Sequence, residues 1–224
     1  MQYTITPIAT VRSPYKQKFG VARQPGLVPA ATVCIELNDT FNADSVRGLE
    51  TFDYVWISFI FHGVLEEGWS PLVRPPRLGG KQKMGVFATR SPHRPNHLGL
   101  SLLKLERIET GKPVRLYCSG ADLLDNTPVI DIKPYIPFVE AKPDAAGGFA
   151  NAKPEELNVI WHDDCHHSLL TPAEKSLISQ SIAQDPRPAY QDIPERIYVM
   201  QIARYEVKFQ IQGDQAVVLA VLPI

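Results

Sequence analysis

Two guanidinium groups, an imidazole and a carboxamide fall within seven residues at Arg90-Ser91-Pro92-His93-Arg94-Pro95-Asn96. Arginine's planar fork matches carboxylates and phosphates two bonds at a time, so a pair held still is suited to an anionic ligand. Pro92 and Pro95 hold them still: each fixes φ and lacks a backbone donor, which ends any strand ladder there. The flanks read as strand, with Val86 and Phe87 running into the loop and Leu98 to Leu105 (LGLSLLKL) running out of it. A stiff polar loop between strand ends binds something more often than it merely connects. For two loop arginines alone, a solvated turn is the plainer reading, and the neighbours tip the balance. Between Ser70 and Arg107 stand Arg74, Arg77, Lys81, Lys83, Arg90, Arg94, Lys104 and Arg107 against the single acid Glu106. Such a local excess of positive charge suits a polyanion, whose counterions are released on contact.

Three more polar segments sit at predicted strand ends: Arg23 to Gly26 (RQPG), Asp122 to Asp125 (DLLD) and Asp131 to Tyr135 (DIKPY). Each alone is ordinary turn chemistry. Together with the arginine loop they would gather carboxylates and guanidinium groups around one mouth of a barrel, a common ligand site. Other chemistries find less support. His162 and His166 in HDDCHH have the i, i+4 spacing of a zinc helix, but Asp163 replaces the general-base Glu and no third ligand follows at a recognisable spacing, so no metal is expected. There is no GxSxG for a nucleophilic serine, and neither GxGxxG nor GxxxxGK[ST] for a nucleotide.

These residues need a scaffold, and the chain supplies one rich in strands. With 224 residues, 44% hydrophobic and 21% charged, it suits one domain with an appendage or two small domains. Net charge is -1, so the basic stretch is a local asymmetry. Cys34, Cys118 and Cys165 are odd in number and far apart, which points to a reducing compartment. No leader-like start and no membrane-length apolar run is present, and the expectation is a cytoplasmic protein. Strands are predicted at Tyr3 to Val11, Val33 to Leu37, Phe52 to Phe61, Gly99 to Ile108, Val114 to Ser119 and Pro128 to Ile132, with a short helix at Asp44 to Leu49 capped by Asn42 or Asp44. That order predicts a mainly β fold, an antiparallel sheet closing into a barrel over residues 1–140. Residues 141–154 (AKPDAAGGFANAKP) read as a linker. Residues 155–224 then form a smaller α+β domain: a strand at Leu157 to Trp161, a helix opened by the capping box Thr171-Pro172-Ala173-Glu174 and ending near Gln184, and a hairpin turning near Gly213-Asp214.

The long motifs GVFATRSPHRPNHLGLS, VRPPRLGG, SGADLLDNTPVIDIKPY, RSPYKQKFGVARQPGL, VRGLETFDYVWISFIFH and DPRPAYQ, in this set across nearly the whole chain, resemble the TrmO (YaeB-like) family of tRNA methyltransferases. The resemblance implies a single-sheeted antiparallel β-barrel that binds S-adenosylmethionine without a Rossmann domain, a small C-terminal domain, and a homodimer. The implied reaction is methylation of N6 of threonylcarbamoyladenosine at position 37 of a tRNA anticodon loop. Carried over by position, Gln24, Pro25, Gly26, His62, Gly63, Arg94, Ser101, Leu102, Asp122, Leu123, Leu124 and Asp125 would line the cofactor site, framed by Arg90 and Asn96. Arg187 and Tyr190 of DPRPAYQ would help hold the anticodon loop, with Arg74, Arg77, Lys81 and Arg90 on phosphates. Asn96 and Asp131 are the expected pair to polarise the acceptor nitrogen. Two positions depart from the family pattern: His97 stands where it usually has Pro, and Asn126 where it commonly has Gly, a mild change because Asn tolerates the left-handed conformation. The alternatives are a non-catalytic module that senses S-adenosylmethionine or binds RNA, and a small-molecule methyltransferase on the same barrel.

Overall fold

Period-two alternation builds the first sheet. In the computed structural model, which describes residues 2–165, 170–188, 193 and 195–224, the strands β1 (Ala9–Arg12), β2 (Val33–Leu37), β3 (Tyr54–Ile60), β6 (Leu98–Glu109), β7 (Arg115–Ser119) and β8 (Pro128–Pro134) close a barrel in the order β1-β2-β7-β6-β3-β8. Every pairing is antiparallel, and β8 completes the circle on β1 through Ala9 opposite Val129. Alternate residues point inward, so Val11, Val33, Ile35, Val55, Ile57, Leu103, Leu116 and Val129 are all fully buried. A barrel this narrow is filled by its own side chains, which leaves its end, not its axis, for a ligand. The register of β3 against β8 shifts between Ser58 and Phe59, a bulge of the kind that re-aims a side chain.

The second sheet runs β10 (Tyr198–Ile202), β11 (Tyr205–Gln212), β12 (Gln215–Pro223) and β9 (Asn158–Trp161), with β9 parallel to β12 and the rest antiparallel. Helix α2 (Pro172–Ala183) covers it with Leu177, Ile178 and Ile182. Both halves of the expected capping box form: Thr171 accepts from the Glu174 N–H, and Glu174 accepts from the Thr171 N–H at 2.9 Å. This second core also takes Tyr15, Ala22, Val28 and Ala31 from the connection between β1 and β2. The early segment 13–31 thus belongs to the barrel by sequence and to the C-terminal core by packing.

Some local expectations needed correction. Val86 and Phe87 are not strand; the two-residue strands β4 (Leu72–Val73) and β5 (Met84–Gly85) pair beforehand, and Val86–Ala88 is a 3₁₀ turn. Thr89 closes that turn, its N–H and hydroxyl both donating to the Val86 carbonyl while Phe87 stays in solvent. The helix expected at Asp44 to Leu49 is two 3₁₀ turns, Ala43–Val46 and Leu49–Thr51, the first capped as predicted by the Asn42 side chain accepting from the Asp44 N–H. Strand β10 and the one-turn helix α1 (Pro137–Glu140) were not foreseen. Among the described residues no helix is long and apolar enough to cross a membrane.

Candidate functional site

At one end of the barrel lies a cleft of about 460 Å³, within the ~300–1,000 Å³ typical of small-molecule sites. Its floor is Ser101 of β6 with Asp122, Leu124 and Thr127 from the β7–β8 connection. Phe59 and Phe61 form an aromatic side, Thr89 to Arg94 one rim, and Lys18 with Val21 to Gln24 the facing rim. Leu98, Gly99 and Leu100 complete the wall where β6 leaves the arginine loop. Gly99 has to be glycine: a Cβ there would meet the Phe59 ring at 2.2 Å, and that ring is pinned edge-on by Phe61 at 4.9 Å.

The floor holds the strongest electrostatic feature. Ser101 is fully buried and its hydroxyl donates to Asp122 Oδ1 at 2.6 Å. Burial pushes the Asp122 carboxyl up to about 6, although the Ser101 bond and the Arg90 charge pull the other way. Raised acids of this kind cluster at functional sites. Burial also holds His62 below the usual imidazole value, which favours its neutral ring. Thr127, 3.5 Å from His62 Nδ1, donates its hydroxyl to the Leu124 carbonyl at 2.7 Å. The arrangement offers one buried carboxylate, two aromatic faces and a cationic rim to a ligand that is partly apolar and carries both signs of charge.

The rim is braced internally. Arg94 Nη1 donates to the Thr89 carbonyl at 2.8 Å and weakly to that of Val86, which fastens the 3₁₀ turn to the loop. Arg90 Nη1 donates to Gln24 Oε1 at 2.6 Å across the cleft. Lys18 pairs with Glu67 at 2.6 Å beside it. His97 adopts φ 49°, a conformation closed to proline, and its Nδ1 lies 3.0 Å from the Pro92 carbonyl, so the side chain supplies a tie in the place of a ring constraint. Asn126 takes φ 61°, the left-handed state expected of it.

Of the residues named from sequence, the cleft brings together Gln24, His62, Gly63, Arg90, Arg94, Ser101, Asp122 and Leu124. Pro25, Gly26, Leu102, Leu123 and Asp125, also named from sequence, do not line it. Leu123 is buried in the barrel core, and Asp125 spends its carboxylate on the Ser13 N–H and on Lys16, both at 2.8 Å. Burial alone would raise Asp125, but those bonds and the charges of Lys16 and Arg12 hold it below the usual carboxylate value. Asn96 is exposed on the arginine loop, and Asp131 stands opposite Ser58 by the bulge, paired with Lys133 at 3.1 Å. Arg74 and Lys81 are exposed, Arg77 donates to the Ala152 carbonyl, and Arg187 pairs with Asp185 at 2.8 Å. Tyr190 and His166 lie outside the described residues, and among those described no group of His, Cys, Asp and Glu is placed to hold a metal. Sequence reasoning missed Lys18, Val21, Ala22, Phe59, Phe61 and Thr127; the aromatic run holding Phe59 read simply as core.

A closed antiparallel barrel with a ligand cleft at its end, free of any glycine-rich nucleotide loop, sets this chain apart from Rossmann-type cofactor enzymes. Residues 10–141 match the model of the tRNA-methyltransferase O N-terminal domain, and residues 154–224 that of the TrmO C-terminal domain. A relative from Eikenella corrodens, named a tRNA (adenine(37)-N6)-methyltransferase, is 62% identical over 78% of this chain and 99% of its own. One of the same name from Escherichia coli (strain K12) is 45% identical over 96% of both. The crystal structure of TrmO from Pseudomonas aeruginosa superposes with a TM-score of 0.83 at 37% identity, covering 99% of this chain and 98% of that one. The chain belongs to the TrmO family.

Proposed function

We propose that the protein is an S-adenosylmethionine-dependent methyltransferase acting on N6 of adenine 37 in tRNA, and that its substrate base already carries the threonylcarbamoyl group. The observation that carries this reading is the 45% identity, over 96% of both chains, to a relative named for methylation at that atom. The cleft fits the cofactor by chemistry as well as by volume. Phe59 and Phe61 suit an adenine face, and the Asp122 carboxylate held by Ser101 suits a ligand ammonium or ribose hydroxyl. Gln24, His62, Gly63 and Leu124 hold the remaining edges, and Pro25, Gly26, Leu102, Leu123 and Asp125 belong to the same sequence segments. When bound, the cofactor supplies a methyl group on a sulfonium centre. The protein's share of the work is to hold donor and acceptor in line, which can supply much of the rate.

The acceptor nitrogen shares its lone pair with the ring and the carbamoyl carbonyl, so it must lose its proton before or during attack. Asn96, on the stiff loop, and Asp131, beside the bulge, are the residues proposed to polarise it. Arg90, Arg74, Arg77 and Lys81 would meet phosphates or the carboxylate of the modification, and Arg187 and Tyr190 the anticodon loop. A cytoplasmic homodimer is the proposed working form; Leu98, Leu100 and Phe138 leave large apolar groups exposed, which suits a second copy.

The test is mass spectrometry of tRNA nucleosides after incubation with the cofactor, using transcripts with and without prior threonylcarbamoylation. A methyl gained only on the modified tRNA is expected. Methyl on both would remove the modification requirement. Cofactor binding without any transfer would favour a sensing module, and turnover on a free small molecule alone would favour the other alternative.

A further inference from the structure

Among the described residues, none beyond Thr127 lines the cleft, yet one of its two rims is packed into the C-terminal core. Segment 13–31 offers Lys18 and Val21 to Gln24 to the ligand side. Its other side is fastened to residues from the far end of the chain. The Tyr15 ring is buried among them, with its hydroxyl 3.1 Å from Ser181 Oγ on α2 and its backbone bridged to Ile202. Gly20, at φ 93°, brings its backbone so close to β10 that a Cβ would sit 2.2 Å from Met200 Sδ. Phe19 stacks on Tyr198 and Phe209, and Arg23 Nη2 donates to the carbonyls of Asp185 and Arg187 at 2.8 and 2.9 Å. On the barrel side the segment is tied by backbone bonds, such as the Gly26 N–H on the Gly120 carbonyl, and by the side-chain bonds of Lys16 to Asp125, Lys18 to Glu67 and Arg90 to Gln24, while its buried apolar residues belong to the C-terminal core.

We infer that the C-terminal sheet and α2 are a positioning element for the cofactor cleft: Met200 and Ser181, which do not line it, set the rim formed by Lys18 to Gln24. The inference rests on the cofactor assignment proposed above for what the cleft binds, but not for how its rim is held. A fully buried Met200 has no slack, because packed interiors transmit a volume change to their neighbours. Loss of contact beneath Gly20 therefore releases the rim, while the barrel floor at Ser101 and Asp122 keeps its geometry.

The experiment compares the full-length protein with its Met200→Val and Ser181→Ala variants, with Tyr15→Phe as a second way of deleting the Ser181 bond. S-adenosylmethionine affinity is measured by calorimetry, tRNA KM and kcat at saturating cofactor by methyl transfer, and amide hydrogen exchange across residues 18–24 by mass spectrometry. Expected are a cofactor dissociation constant raised about tenfold for Met200→Val, equivalent to ~1.4 kcal/mol, and a smaller rise shared by Ser181→Ala and Tyr15→Phe. Exchange in the rim rises in parallel, and tRNA KM and kcat stay within about twofold, being set elsewhere. Unchanged cofactor affinity and rim exchange with a raised tRNA KM would overturn the inference and make this domain a tRNA contact alone. If the unmodified protein failed to bind S-adenosylmethionine, the proposed function would fall, whereas rim exchange would still decide this point.

Discussion

The two cores of the molecule handle polar groups in opposite ways. The barrel closes its own hydrogen-bonding circle and keeps, at its open end, a carboxylate that burial pushes up to about 6 against the pull of its Ser101 bond. The C-terminal sheet ends on β10, bridged at Ile202 by Tyr15, and on β9, and its internal polar contacts, Tyr15 with Ser181 and the Trp161 indole N–H donating to Ser179, join elements to each other. One core is self-sufficient in structure and buries a carboxyl at its open end; the other buries the Tyr15 phenol, pushed up to about 12 by burial, and is incomplete without the segment that carries it. The contrast teaches where function sits, because a costly buried charge is retained where a ligand repays it.

The hardest test of this contrast is Asp122→Asn. Loss of a charged partner in the cleft is expected to lower methyl transfer by about 10- to 100-fold, measured as kcat/KM for the cofactor. Stability should move the other way. The folded acid titrates near 6 against an ordinary 3.8, so the native state binds the proton more tightly. Its cost is absent below the unfolded value, grows as pH rises between the two, and is complete above about 6. Thermal melting followed from pH 4 to pH 8 should therefore show the variant gaining over the parent by a few degrees at the alkaline end, on the order of 2–3 kcal/mol at most. In the parent, transfer should fall as pH drops through that same value. A variant that kept full activity would break the contrast.

Gly99→Ala sharpens it from the packing side. The added methyl group must displace the Phe59 ring, which Phe61 blocks, so a loss of about 1–3 kcal/mol is expected together with weaker cofactor binding. Melting and calorimetry on one sample check both. Thr171→Ala should cost about 1 kcal/mol through the lost cap of α2, read by denaturant unfolding, with activity kept at saturating cofactor. The smallest effect is expected for Lys18→Ala: its partner Glu67 is half exposed, and solvent-screened pairs of that kind contribute little, so melting should barely change.

How far the sequence announced this depended on how local each signal was. Thr171 and Glu174 are three residues apart and announced their cap; the alternation of Val33, Ile35 and Leu37 announced β2; Asn126 announced its left-handed turn. The arginine loop and the Asp122 segment were legible as polar strand ends, and the family resemblance tied them to one site. Val86 and Phe87 misled because strand propensity carried no information about Thr89 closing a turn behind them. Within the rim Gln24 was named from sequence, but Lys18, Val21 and Ala22 were not legible, since the seat of that loop is settled by Met200 and Tyr198, nearly the whole chain away. Short windows report periodicity; they do not report which distant surface completes a loop.

The segment shared between the cores also sets limits on inheritance. A crossover at the connection over residues 142–153 would look harmless, since it falls between the two family matches. It would nonetheless hand Tyr15, Phe19 and Gly20 a foreign surface, and a grafted tail with a different residue at the Met200 position would meet Gly20 badly. The pieces that recombine cleanly are therefore discontinuous, with residues 13–31 travelling in step with the tail that covers them.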